Sequence, residues 1–278
     1  MRLTIGDRDV TELVSSVTTS GSRSEASRTL SAEILQPPAD KNVPAVPLEL
    51  EAKVEFDSED GQTFEGWVTQ TSRTTSGNTV TVTAQSRGDK LTNTKVTKKI
   101  TGATPAAAAA ELITAAGLKV GELAPAPGTV ARKFVDTPVA DAIMAGYILS
   151  GQQNDTSYVL TVDGETASVV EFGKKVTGTL AEGSNLQVAT YAESLDWEDG
   201  EEDTEGHYER GQKATVQGLA LPGAVTGMAV QIKETYTGLT GIFYVDSDQH
   251  SWAKGMYTNK LTLVFDRLSD DTAAGEEV

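Results

Sequence analysis

From Leu48 to Phe56 apolar and charged residues alternate: Leu48, Leu50, Ala52, Val54 and Phe56 against Glu49, Glu51, Lys53 and Glu55. A period of two sends one set to a buried face and the other to water, so the segment predicts a strand. Asp60-Gly61 then reads as a hairpin turn, because both residues tolerate positive φ. Phe64 to Gln70 predicts the returning strand, and Ser76-Gly77-Asn78 leads into another at Val80, Val82 and Ala84. Upstream, Leu3, Ile5, Val10, Leu13, Val14 and Val17 open the β-structure, and Leu30–Leu35 offers a further strand. Pro37-Pro38, Pro44 and Pro47 interrupt the chain between that strand and Leu48. The first third therefore predicts a small sheet closing on itself, as a barrel or sandwich.

The pattern changes in the middle. Thr104 as N-cap, Pro105 at the first helical position and Gly117 just past the end predict a helix over Ala106–Ala116. Thr137-Pro138 repeats the signal, with Val139, Ile143, Gly146, Tyr147 and Ser150 on one helical face before Gly151. Leu118–Leu123 and Lys133–Val135 are short strands between the helices. Tyr158–Val162, the Asp163-Gly164 turn and Ala167–Phe172 form a hairpin. The last third returns to β, with strands at Leu186–Tyr191, Lys213–Val216, Met228–Ile232, Ile242–Val245 and Leu261–Phe265. The expected fold is thus mainly β, two β-rich blocks on either side of a small α/β unit.

Composition adds exclusions. The 278 residues hold no cysteine, which removes disulfides, thiolate nucleophiles and thiolate metal sites together. Forty acids against 23 Lys and Arg give a net charge of −17, a surface that repels phosphate backbones. No run approaches the roughly 20 apolar residues of a membrane span, and Met1–Val10 lacks the apolar core of a secretory signal. The expectation is a soluble chain made in a cytoplasm, without membrane binding of its own.

Candidate chemistry is sparse. Asp246-Ser247-Asp248-Gln249-His250 begins like a calcium loop, but Ser251 stands where that loop needs glycine, and Tyr257 replaces its closing glutamate. A polar turn between two strands is the favoured reading. His207 and His250 are the only histidines, with no His-Glu-x-x-His helix or Gly-x-Ser-x-Gly elbow to accompany them. Glu193–Glu205 holds eight acids and no base, which predicts a solvated loop rather than a catalytic pair or cation site. Lys95, Lys98 and Lys99, the one basic cluster, read as a face at a domain boundary. Asn154-Asp155-Thr156 is a glycosylation sequon left idle without a secretory signal. The expectation is no catalytic, cofactor-binding or metal residue and no cofactor.

The order of features is more specific than any one of them. Asp9-Val10-Thr11-Glu12-Leu13-Val14 leads to the strand at Leu48, then to Phe64-Glu65-Gly66-Trp67-Val68 and the exit Asp89-Lys90-Leu91. The two Thr-Pro helices, the Asp163-Gly164 hairpin, Gly241-Ile242-Phe243-Tyr244-Val245, His250 and a closing strand at Lys260–Phe265 follow. This succession resembles the baseplate hub proteins of phage tails and contractile particles, particularly those of PBSX-type prophages and the late-control-protein-D group. The resemblance covers most of residues 1–266. It implies a tail-tube-like β-barrel domain over 1–100 and a second barrel over 179–268, on either side of the small α/β domain over 101–178; the short, polar stretch 269–278 reads as a mobile tail. The resemblance also implies a homotrimer that meets a hexameric tail tube with six barrels and holds the central spike or tail-tip protein. Other baseplate proteins and the tape measure protein are further implied partners. Nucleic acid would meet the chain only in transit through an acidic channel, within a tail particle assembled in the host cytoplasm. The acidic stretch after Ser194-Leu195-Asp196-Trp197 departs from the family pattern and leaves the completeness of the second barrel open.

Two other functions stand beside the hub: a tail-associated cell-wall hydrolase and a carbohydrate-binding adhesin. The first lacks any nucleophile or paired-acid motif. The second usually exposes aromatic clusters, in which a chain with 6% aromatics is poor.

Overall fold

The computed structural model describes residues 1–36, 46, 48–73, 78–198, 207–266 and 273–277. The first block contains β1 (Arg2–Ile5), β2 (Arg8–Asp9), β3 (Val14–Ser22), β4 (Glu25–Leu35), β5 (Lys53–Asp57), β6 (Thr63–Arg73) and β7 (Thr79–Gln85). The middle block follows with α1 (Asp89–Asn93), β8 (Lys95–Ala103), α2 (Pro105–Ala115), β9 (Lys119–Leu123), β10 (Val130–Pro138), α3 (Val139–Asn154), β11 (Tyr158–Asp163) and β12 (Thr166–Glu171). The last has β13 (Val176–Ala181), β14 (Leu186–Glu198), β15 (His207–Leu219), β16 (Ala229–Lys233), β17 (Thr240–Ala253), β18 (Met256–Val264) and β19 (Glu276–Glu277). The protein is mainly β, and the described α-helices lie between Asp89 and Asn154, with α1 falling before residue 101, the expected start of the α/β unit.

Strands β14-β15-β18-β17-β3-β4-β7-β6-β5-β1-β2 form one path, with β16 and β13 branching from β17 and β11, β12 and β9 from β4. A separate sheet runs β19-β10-β8. The expectation of closed barrels is corrected here: among the described residues the path stays open, ending on β2 and β14. The alternation from Leu48 is also longer in sequence than in structure. The strand begins at Lys53, because Glu51 adopts φ 66° and turns the chain, leaving Leu50 64% exposed.

Three cores hold the molecule. One is lined by Leu3, Leu30, Ile34, Val54, Phe56, Val68 and Val82, and it also takes Trp252 and Tyr257 from the far end of the chain. The second packs α2 and α3 around Phe134, Ile143 and Tyr147. The third gathers Leu180, Val216, Ile232, Val245, Leu261 and Leu263. The β17–β18 hairpin belongs to two of them. Val245 and Leu261 sit in the third core, whereas Trp252 and Tyr257 stack face to face at 4.6 Å in the first, with Phe56 edge-on to Trp252.

Helix α2 starts as its sequence dictates: the Thr104 hydroxyl accepts from the Ala107 N–H, Pro105 is the first residue, and Gly117 takes φ 75° beyond the end. Helix α3 departs from that copy. Pro138 is itself the cap, Thr137 belongs to β10, and the helix runs past Gly151 to Asn154 before Asp155 turns left-handed. The Ser/Thr-rich β3, the lysine-bearing β8 and the short β13 carry little alternating hydrophobicity and escape a reading by period. At the C-terminus, part of the segment read as a mobile tail is placed against the α/β unit. Glu276 and Glu277 pair with Lys133 and Arg132 of β10, and Gly275 lies against the buried Phe134 ring.

Candidate functional site: a buried polar junction and two open strand edges

A buried polar junction centres on Asp248 of β17, which Arg28 of β4 and Thr226 both reach. The sequence Asp246–His250 is the middle of β17 and not a turn, which corrects the turn expected there. It is paired on one side with Gly21 and its neighbours in β3 and on the other with Leu261 and its neighbours in β18. Asp248 is fully buried. Arg28 of β4 reaches it through two parallel hydrogen bonds, Nη1 to Oδ1 at 3.0 Å and Nη2 to Oδ2 at 2.6 Å. The Thr226 N–H and hydroxyl both donate to Oδ1 at 2.7 Å. Burial alone would raise this carboxyl's pKa. The Arg28 charge, with its hydrogen bonds, instead holds it below the usual carboxylate range. Gly21 makes room for the pair: a Cβ there would lie 2.6 Å from Arg28 Nη1.

His250, also fully buried, extends the network. Its Nε2 lies 3.1 Å from the Ala224 carbonyl, which can only accept, so Nε2 carries the proton. Nδ1 then accepts from the Tyr257 hydroxyl at 2.8 Å. Burial is the chief reason the imidazole's pKa is lowered, with Asp248 opposing and Arg28 assisting, so the ring is held neutral. From the α/β unit, Asp163 faces Arg28; burial raises its pKa and the arginine offsets part of that rise. The Asp163-Gly164 turn is seated by the Arg87 N–H donating to the Gly164 carbonyl at 2.8 Å. One guanidinium thus touches or faces all three units.

Both Asp248 oxygens and both His250 nitrogens are occupied by protein partners, and neither residue meets solvent. The arrangement ties elements together and leaves no face for a substrate. Asp246, the other acid of the loop-like motif, pairs with Arg23 at 3.1 Å. Among the described residues no group of three His, Asp or Glu gathers as a metal site. His207 lies in β15, far along the sheet from His250, and its side chain is outside the described residues. Arg28, Thr226 and Gly21 were not legible as partners of Asp248, since they stand 220, 22 and 227 positions away in the sequence.

The second feature is at the sheet's rim. Of the acidic stretch expected as a loop, Glu193–Glu198 continues β14, a correction, while 199–206 lies outside the described residues. β14 and β15 pair from Leu186↔Gly218 out to Glu198↔His207, but β15 pairs with β18 only from Ala214 to Leu219. Seven rungs, from Ala192↔Lys213 outward, therefore form an arm that has no third strand among the described residues. Its outer edge is β14, which carries Glu193, Asp196 and Glu198 and no base. At the opposite extreme of charge, β8 carries Lys95, Lys98 and Lys99 and no acid. Among the described residues β8 pairs with β10 alone. Lys95 and Lys98 make exposed ion pairs with Asp136 and Glu111.

This architecture is shared with solved tail proteins. A 43 kDa tail protein of prophage MuSo2 from Shewanella oneidensis superimposes with a TM-score of 0.71 at 12% identity, covering 95% of this chain and 97% of that one. The tail protein from Neisseria meningitidis MC58 gives 0.63 at 11% identity, covering 94% and 95%. The Escherichia coli c3393 protein, a type VI secretion component described as similar to the T4 tail proteins gp27 and gp5, gives 0.56 at 11% identity, covering 99% and 79%. The fold class is thus that of phage-tail and related proteins. The chain belongs to the YQBQ-like family, whose model matches residues 17–199. No curated protein matches it by sequence.

Proposed function

We propose that this protein is a structural subunit of a phage tail or phage-tail-like particle, placed at the baseplate hub between tail tube and central spike or tail tip. The observation that carries the reading is the end-to-end likeness to the MuSo2 tail protein, at 95% and 97% coverage. In this reading residues 1–100 and 179–268 act as two tube-like units, residues 101–178 as the unit between them, and three copies form a ring. The internal physics supports it. A subunit that meets a six-fold tube with two surfaces needs those surfaces at a fixed angle. The β17–β18 ribbon, shared between two cores, and the Arg28–Asp248 pair supply that rigidity. The chain does no chemistry in this role and holds no metal or cofactor. Its partners are further copies of itself, the tube protein, the spike or tip protein, neighbouring baseplate proteins and the tape measure protein.

Cryo-microscopy of the intact particle tests the proposal. Density for three copies around the channel at the tube's distal end is the expected result. Six copies per ring, or a position on outer fibres, would overturn it. A cell-wall zymogram with purified protein should show no clearing.

A further inference from the structure

We propose that the β14–β15 arm is an intersubunit strand: its β14 edge adds to the free β8 edge of a second copy of this chain. The proposal rests on the ring reading above and names the contact that closes the ring. Isolated two-stranded ribbons are marginal in water, because neither face is covered by a core. Here seven rungs, a length of about 20 Å at the usual strand rise, extend beyond the last described β18 partner. Ala192, Glu193, Ser194 and Leu195 are all exposed, Leu195 by 67%. Such an edge is a template for strand addition.

Charge selects the occupant. The β14 strand bears three acids without a base, so an acidic edge is repelled and a basic one attracted. In a chain of net charge −17, β8 is a strand with three bases and no acid, nine residues long, with one side unpaired among the described residues. The ion pairs that Lys95 and Lys98 make now are exposed ones, worth little and readily exchanged. Acid edge and base edge lie on different parts of the molecule, so the contact is head-to-tail, the type that closes rings when the rotation permits. It joins the 16-stranded sheet of one copy to the three-stranded sheet of the next.

The absence of cysteine gives a clean test. Full-length protein with Ser194→Cys or Ala192→Cys, combined with Thr101→Cys or Thr97→Cys, is oxidised and run on non-reducing gels. Native mass spectrometry reports the assembly in parallel. At least one pair should give covalent rings, and neither single variant should. Reversing Glu193, Asp196 and Glu198 together to Lys should weaken assembly at least tenfold while circular dichroism and Tm stay near wild type. Adding Lys95→Glu, Lys98→Glu and Lys99→Glu should restore it. Wild-type rings with no crosslink in any pair, or a triple reversal that assembles normally, overturn the arm contact and leave the hub reading standing. A chain that is monomeric both alone and in particles overturns both. Crosslinking of the arm to a different tail protein overturns the choice of occupant.

Discussion

At the residue scale the molecule depends on Arg28 and Asp248, a pair in which the carboxylate is fully buried and the guanidinium mostly so. Breaking such a pair from one side leaves an uncompensated buried charge, which costs on the order of 3–5 kcal/mol. Asp248→Ala and Arg28→Ala are each expected to lose that much in urea unfolding, whereas the double Arg28→Met/Asp248→Leu should lose far less. Equal losses in the single and double variants would show the pair to be unimportant as a pair. His250 adds a pH dependence. Its pKa is lowered by burial, so below about pH 6.5 the unfolded chain takes up a proton that the folded chain refuses. Stability is therefore fully present above that pH and falls as pH drops towards the folded value. Unfolding midpoints between pH 7.5 and 5 should decline for wild type and decline less for His250→Gln. Parallel slopes would place the titration elsewhere.

At the element scale, local signals and tertiary placement contribute separately. The Thr104 cap of α2 was readable because a cap is chemistry between neighbours three residues apart. Thr104→Ala is expected to cost about 1 kcal/mol by loss of the hydroxyl to the Ala107 N–H, seen as a lower Tm. Thr137→Ala should cost less, since Pro138 is the cap of α3 and Thr137 belongs to β10. The C-terminal strand is the converse case. Nothing in Ala273–Glu277 has strand periodicity, yet Glu276–Glu277 sits on β10 beside Arg132 and Lys133, with Gly275 on Phe134. Truncation before Ala273 should speed hydrogen exchange in β10 and leave β5 and β6 unchanged; unchanged protection in β10 would argue against the docking.

At the scale of the whole molecule, the β17–β18 ribbon makes two β-rich cores into one body. Trp252 and Tyr257 reach the first core from residues after the α/β unit, so the ends of the chain cannot unfold apart. A single cooperative transition, with circular dichroism and tryptophan fluorescence coincident, is the expected outcome of thermal unfolding. Two separated transitions would show that the ribbon does not couple the cores.

The sequence by itself determined the β-rich character, the helices between the strands, the hairpins at Asp60-Gly61 and Asp163-Gly164, and the broad likeness to phage tail and baseplate proteins. Each is written in neighbours: a period of two, a cap, a turn pair. Only the tertiary structure decided the rest. Leu50 shares the alternation of a strand but is turned outward by the positive φ of Glu51. Asp246–His250 has the composition of a turn yet runs as a central strand, because Arg28, 220 residues away, neutralises Asp248, and Thr226 saturates one of its oxygens. Glu193–Glu198 has the composition of a solvated loop yet pairs with residues 207–212. Polar side chains do not disclose whether water or another strand will satisfy them; that depends on partners which only the folded chain brings within hydrogen-bond reach.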